Sequence, residues 1–250
     1  MNNKLRIVGN EYINKFGEPF KVISYNGYSE IGIIFKNGYK TMCTSKSIKD
    51  RSCCSPYLKK SLGVGYIGDG EYNYINDKYV YKAWAHMITR CYDKKYSDKY
   101  PTYNGCSVSE EFHCFQTFAK WYYNNIWMDN KMVLDKDILI KGNKAYSKDS
   151  CILVDVRINS MFTKCNSARG KYPIGVSIDK RYDRLRGYIY TEENKRSMKY
   201  CNTVEEAFNV YKSTKESYIK RIADEYNSKY PNFPKKLYDA MYNYEVEITD

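Results

Sequence analysis

The chain has 250 residues, enough for one or two ordinary domains or three small ones, and its formal net charge is +12. This charge favours anionic partners such as nucleic acid and argues against a mimic of nucleic acid. Hydrophobic residues make up 43% of the chain, which excludes a disordered protein, and no apolar run approaches the roughly 20 residues of a membrane helix. Because the first residues lack the apolar core of a secretory signal, we expect a cytoplasmic protein without membrane contact, whose 9 cysteines are reduced.

The first sixty residues predict a small antiparallel sheet, in the most basic part of the chain. Three strand patterns alternate with Asn-Gly dipeptides, the strongest short signal for a hairpin turn: 20–25, Asn26-Gly27, 31–35, Asn37-Gly38 and 39–42. A stretch rich in Ser, Cys, Gly and Pro then interrupts the pattern between Ser45 and Gly70. We therefore predict a β-rich domain over 1–60 and a linker over 61–78.

The middle of the chain predicts two helices followed by the order strand, loop, strand, helix. One apolar stripe predicts a helix from Tyr79 to about Tyr92, and Ser109 is placed to cap a second helix that reaches about Tyr122. Further on come a strand pattern at 132–138, a turn at Gly142-Asn143, a strand at 151–154 and a helix beginning near Val156. We assign these elements to a central domain over 79–168.

The remaining residues predict a three-stranded antiparallel sheet packed on one long helix. The strand patterns cover 172–178, 185–191 and 195–201. Thr203 and Glu206 have the spacing of a capping box, and the apolar stripe that follows ends before Pro231 and Pro234. With a domain over 169–250, the predicted fold class of the whole chain is α+β.

Two segments carry a resemblance to known families. The first segment contains Trp84, Met87, Arg90-Cys91-Tyr92, Tyr103, Cys106, Phe112, Phe115, Phe118, Leu134-Asp135-Lys136-Asp137, Gly142-Asn143, Tyr146-Ser147, Cys151 and Asn159. It resembles the HNH-endonuclease-like proteins of phages, whose catalytic core is a ββα-metal unit. The second segment contains Gly175-Val176, Gly187, Ile189 and the stretch 203–207. It resembles the APETALA2-type DNA-binding domain that accompanies such nucleases.

The first resemblance implies a candidate catalytic site. Asp135 corresponds to the strand ligand and Asn159 to the helix ligand of a divalent ion, Mg²⁺ or Mn²⁺, that stabilises the cleaved phosphate. Lys136 stands where the family has its general-base histidine, with Asp137 beside it, so we take both as catalytic candidates, Lys136 as base or phosphate clamp. The asparagine that usually precedes the second strand is replaced by Ser150.

Alternatives to this site remain open. Asp135, Asp137 and Asn143 also fit ordinary turn chemistry in a solvated hairpin. The chain's 2 histidines, His86 and His113, lie on predicted helices, where we expect structural roles. Zinc is not expected, because the spacing of its candidate ligands matches no standard finger; these ligands are Cys91, Cys106, His113 and Cys114.

The second resemblance implies that the sheet face opposite the long helix enters the major groove of duplex DNA. Alternation along the strands predicts that Ile174, Val176, Gly187, Ile189 and Met198 face the helix. It places the candidate DNA contacts outward, and these are Arg186, Tyr188, Tyr190, Lys195 and Ser197. Arginine and lysine suit phosphate or guanine, and tyrosine suits stacking or phosphate.

The sequence thus supports a DNA-binding protein that nicks or cleaves duplex DNA through metal-activated water. The alternative is an inactive nuclease scaffold, acting as a DNA-binding regulator or as a phage inhibitor of a host defence system through a protein partner. The missing histidine favours this alternative. A third hypothesis, a purely structural interaction module, predicts no affinity for nucleic acid.

Overall fold

The computed structural model describes residues 7–163, 170–191 and 196–250. It mixes helices with antiparallel sheets, which confirms the predicted α+β class. The chain divides into two compact units, Met1–Asp93 with Glu110–Phe118 and Lys94–Ser109 with Ala119–Asp250. The predicted domain boundary at 168 lies outside the described residues. Within the described ranges, no helix combines the length and apolar character needed to cross a membrane.

Eight α-helices are found in the described part of the chain. They are α1 Ser45–Lys49, α2 Lys78–Tyr92, α3 Lys94–Lys99, α4 Glu110–His113, α5 Phe115–Asn124, α6 Val156–Met161, α7 Val204–Lys229 and α8 Lys235–Tyr242.

The amino-terminal sheet of the first unit follows the chain order. Its strands are β1 Glu11–Ile13, β2 Pro19–Tyr25, β3 Ile31–Phe35 and β4 Lys40–Cys43, each antiparallel to the next. Both predicted turns form, and Gly27 and Gly38 have φ angles of 146° and 85°, a region that glycine enters without strain. One face of the sheet is buried in an apolar core that contains Phe20, Val22, Ile31, Ile33 and Phe35.

The two helices predicted for the first half of the middle segment differ in outcome. Helix α2 forms as predicted and buries its apolar stripe, including Trp84 and Met87. The second helix is divided into α4 and α5, because the backbone of Tyr66 pairs with the chain at this point. The N–H group of Tyr66 donates to His113 O at 2.9 Å, and the carbonyl of Tyr66 accepts from the N–H group of Phe115 at 2.9 Å.

The second unit contains the predicted order strand, loop, strand, helix. Strand β6 Met132–Asp135 is antiparallel to β8 Ile152–Asp155, and α6 follows β8 directly. Asp155 caps α6 by accepting from the N–H group of Arg157. Strands β5 Ser107–Val108 and β7 Ala145–Tyr146 form a short parallel pair that the sequence did not indicate.

The carboxyl-terminal sheet also lies in the second unit. Its strands are β9 Val176–Asp179, β10 Arg184–Tyr190 and β11 Arg196–Cys201, antiparallel, with β10 in the centre. Thr203 caps α7, its hydroxyl oxygen accepting from the N–H group of Glu206 at 3.1 Å. The sheet and the first turns of α7 share a core that includes Val176, Ile189, Ala207, Phe208 and Tyr211.

Only the first half of α7 covers the sheet. In its second half, Tyr226 lies edge-on to Trp127 at 6.1 Å, and Glu225 pairs with Arg157 at 2.7 Å. The prediction that Pro234 only ends the long helix was incomplete. Pro234 is the N-cap of α8, a position at which a residue without an N–H group loses no helical hydrogen bond.

Candidate functional site

Asp135, the predicted strand ligand of the metal ion, ends β6 and caps the loop that follows. Its Oδ1 atom accepts from the N–H groups of Asp137 at 2.8 Å and Ile138 at 2.7 Å. Burial raises the pKa of Asp135 to about 6, and the negative charge of Asp137 adds to this shift. The two backbone hydrogen bonds oppose it.

Lys136, at the position of the family's general base, is buried with 8% of its surface exposed. Its ammonium donates to Asp137 Oδ2 at 2.9 Å and to the carbonyl oxygen of Asn143 at 2.8 Å. Asn143 in turn donates to the carbonyl oxygens of Lys136 at 2.6 Å and Ala145 at 2.7 Å. The predicted catalytic pair therefore forms a cross-link that holds the loop between β6 and β7, with the amine acting as a donor.

Asn159, the predicted helix ligand, lies half-buried in α6. A divalent ion in this place would have to share Asp135 with two backbone N–H groups, next to the ammonium of Lys136. Asn159 adds a neutral amide and supplies no charge to oppose that ammonium. This donor set does not fit a divalent ion, and no catalytic step through a metal follows from it.

The remaining metal candidates were Cys91, Cys106, His113 and Cys114. The Nε2 atom of His113 lies 3.3 Å from the hydroxyl oxygen of Tyr92. The thiol of Cys114 donates to the carbonyl oxygen of Ile67 at 3.7 Å. His86 is exposed on α2. Over the described ranges, no three His, Cys, Asp or Glu side chains are grouped as ligands of a metal ion.

The turn role of Asp135 predicts that Asp135→Asn stabilises the protein above pH 6. The folded pKa of about 6 exceeds the usual 3.8, so the folded state binds the proton more tightly, and stability falls as pH rises from about 4 to 6. Asparagine keeps the Oδ1 acceptor without the charge. We expect a gain of about 1 to 2 kcal/mol at pH 8 and almost none at pH 4, measured by urea unfolding.

Asp149→Asn, at an exposed position in the turn before β8, is the control and should change stability equally little at both pH values. A metal-ligand role for Asp135 would have a different signature. In that case Mg²⁺ would stabilise the wild-type protein, and Asp135→Asn would abolish this stabilisation.

The sheet face opposite α7, here called the outer face, carries most of the predicted DNA contacts. Cross-strand partners in an antiparallel sheet share a face, so the register of the three strands defines its members. These are Ser177, Asp179, Arg184, Arg186, Tyr188, Tyr190, Met198 and Tyr200. The predicted contacts Arg186, Tyr188 and Tyr190 lie on this face.

The predicted side-chain directions of β11 were wrong, because the alternation was placed one residue out of step. Ser197 pairs with Ile189, and Met198 pairs with Tyr188. Ser197 therefore belongs to the helix side and Met198 to the outer face, the reverse of the predicted arrangement, because a shift of one residue exchanges the faces of a strand. Lys195, the remaining predicted contact, lies outside the described residues.

Arg186 is held by a network on the outer face. Its guanidinium donates to Asp179 Oδ2 at 2.8 Å and to Ser177 Oγ at 3.0 Å, and the hydroxyl of Tyr200 donates to Asp179 Oδ2 at 2.9 Å. The pKa of Asp179 is held below its usual value, mainly by a hydrogen bond from the backbone N–H group of Arg181. The hydrogen bond from Tyr200 and the positive charge of Arg186 act in the same direction. The acidic residue is thus neutralised by partners on its own face.

Sequence reasoning missed one basic and one aromatic member of this face, Arg184 and Tyr200. The guanidinium of Arg184 lies over the ring of Tyr200 at 4.9 Å, and Tyr200 packs edge-on against Tyr182 at 6.1 Å. Alternation with Arg186 could have identified Arg184 if the strand had been started one residue earlier. Tyr200 could not be found in this way, because its face depends on the register between β10 and β11.

Comparisons of this chain with protein-family models, with curated proteins and with solved structures find no match. The similarities to the HNH-endonuclease-like and APETALA2-type families stay predictions that rest on the residues quoted for them.

Proposed function

We propose that this protein binds duplex DNA through the outer face of its carboxyl-terminal sheet. The observation that carries the proposal is a group of arginine and tyrosine side chains in mutual contact on that face. Arg184 lies over Tyr200 at 4.9 Å and Arg186 lies over Tyr188 at 5.5 Å, while Tyr190 is 62% exposed. The net charge of +12 supports the same class of partner.

The two arginines have different roles in this proposal. Arg186 is oriented by Asp179 and Ser177, so its guanidinium is fixed and loses little freedom on binding. Arg184 and Tyr190 are exposed and reach outward, the former to phosphate or to a guanine edge and the latter to phosphate or a sugar. The major groove admits a two-stranded β-ribbon, such as β10 with one of its neighbours.

We infer binding without cleavage. A general base needs a free electron pair aimed at water, whereas Lys136 donates to Asp137 and to the carbonyl of Asn143. One carboxylate oxygen of Asp135 already accepts hydrogen bonds from two backbone N–H groups. These contacts favour the inactive-scaffold hypothesis over the nicking enzyme.

Two assays on the purified full chain test the proposal. A 20-base-pair duplex should bind with an affinity that falls steeply between 50 and 200 mM salt, because basic side chains release counterions from the phosphates. Supercoiled plasmid should stay intact with Mg²⁺, Mn²⁺ or EDTA. Metal-dependent nicking that Asp135→Ala abolishes would restore the nuclease hypothesis, and no binding at 50 mM salt would refute DNA recognition altogether.

A further inference from the structure

The second unit has a second basic surface, formed by residues outside the carboxyl-terminal sheet. The loop between β6 and β7 contributes Lys136, Asp137, Lys141 and Lys144 to a cleft of about 220 Å³, which Phe162 and Tyr244 also line. Lys136 is engaged within its own loop, and Lys144 donates to the carbonyl oxygen of Thr102 at 2.6 Å. Lys141 is different, because its partners include the carboxylates of Glu247 and Asp250.

The last residues supply Lys141 with negative charge. Its ammonium lies 2.9 Å from Asp250 Oδ1 and 3.1 Å from Glu247 Oε1, and it donates to the carbonyl oxygen of Glu245 at 3.2 Å. The Asp250 side chain is almost fully buried, and its other oxygen accepts from the N–H group of Glu247 at 3.0 Å. Two carboxylates thus pair with the ammonium of Lys141, which is one of the residues that line the cleft.

The root of this segment is anchored by contacts in addition to those of Lys141. Val246 is buried in the core between the sheet and α7. Its carbonyl oxygen accepts from Lys212 at 2.7 Å, and its N–H group donates to Glu216 at 2.8 Å. Tyr244 packs edge-on against Phe162 at 4.9 Å. The carboxylates of Glu247 and Asp250 can therefore be neutralised while the root keeps its contacts.

We propose that the lysine cleft is a binding site for a phosphodiester of the DNA backbone, and that Glu247 and Asp250 act as intramolecular competitors by pairing with Lys141, one of the residues that line it. This inference rests on the proposed function. Carboxylate and phosphate oxygens bind an ammonium in the same way, through charge-assisted hydrogen bonds. Glu247 is 60% exposed, so its ion pair is of the weak surface type, which a polyanion that releases counterions can displace, whereas the pair between Lys141 and Asp250 involves a buried carboxylate.

The test compares two double variants with equal charge changes. Glu247→Gln with Asp250→Asn releases Lys141. The control, Glu225→Gln with Asp239→Asn, releases Arg157 and Lys235 from ion pairs elsewhere in the second unit, in which neither carboxylate is buried. We expect the first variant to bind the 20-base-pair duplex about fivefold more tightly than the control, with a salt slope steeper by about one phosphate contact. Lys141→Ala added to the first variant should remove this gain.

The outcomes separate the two proposals. If the tail variant and the control bind DNA equally, the competitor is refuted while DNA binding by the outer face stands. If neither the wild-type protein nor any variant binds, both proposals fail. Glu247→Gln alone changes an exposed side chain and should give a smaller gain, so the prediction remains testable if the double variant unfolds.

Discussion

Replacing Gly187 by alanine is expected to lower the free energy of unfolding by about 3 kcal/mol, the largest effect predicted for this protein. Gly187 lies in the central strand β10, where α7 crosses the sheet. An added Cβ atom would overlap the carbonyl oxygen of Ala207 and would lie 3.1 Å from the Cβ atom of Val210. The obstructing group is helix backbone, which cannot rotate away as a side chain can.

Thermal unfolding followed by circular dichroism measures this effect, and a loss of this size corresponds to a shift of about 6 to 12 °C in Tm. Gly170→Ala is the matched control, since its Cβ atom would meet no atom within 4 Å. Equal melting temperatures for the two variants would show that α7 does not pack on β10 at this distance.

The double variant Arg184→Ala with Tyr190→Ala is expected to weaken duplex binding about thirtyfold, or about 2 kcal/mol. Both side chains are exposed on the outer face, and Tyr190 packs edge-on against Tyr188 at 6.0 Å. The variant removes one cation and one aromatic contact. Loss of the Arg184 phosphate contact should also reduce the salt slope by about 0.9.

Arg221→Ala with Tyr242→Ala is the matched control for this variant. Arg221 is an exposed arginine over a tyrosine ring at 5.2 Å, like Arg184, but it lies on α7, and Tyr242 is an exposed tyrosine of α8. Fluorescence anisotropy of a labelled duplex should show less than a threefold loss for the control. Similar losses in both variants would indicate that overall charge, and no particular face, supports binding.

Much of the fold could be predicted because its signals are local. The Asn-Gly turns specify hairpins through glycine backbone freedom, and the 3.6-residue periodicity around Trp84 specifies α2. The capping box at Thr203 marks the start of α7 to the residue. In each case the interactions that decide the conformation connect residues only a few positions apart.

The candidate site was less predictable, because its contacts depend on partners distant in the chain. The outward position of Arg186 followed from alternation, whereas its pairing with Asp179 and the place of Tyr200 required the register of three strands. Lys136 was assigned to the position of a catalytic base by resemblance. Its buried pairing with Asp137 and Asn143 became visible only in three dimensions.

The sequence by itself determined the α+β class, the two antiparallel sheets, the long carboxyl-terminal helix and the net positive charge. Tertiary structure decided where the helix after Ser109 breaks, which face Ser197 occupies and what Lys141 binds. The break arises because Tyr66 supplies backbone hydrogen bonds at Cys114, and Lys141 pairs with Asp250, 109 residues away. Local periodicity contains no information about such pairs, since buried polar groups must find partners wherever the folded chain brings them together.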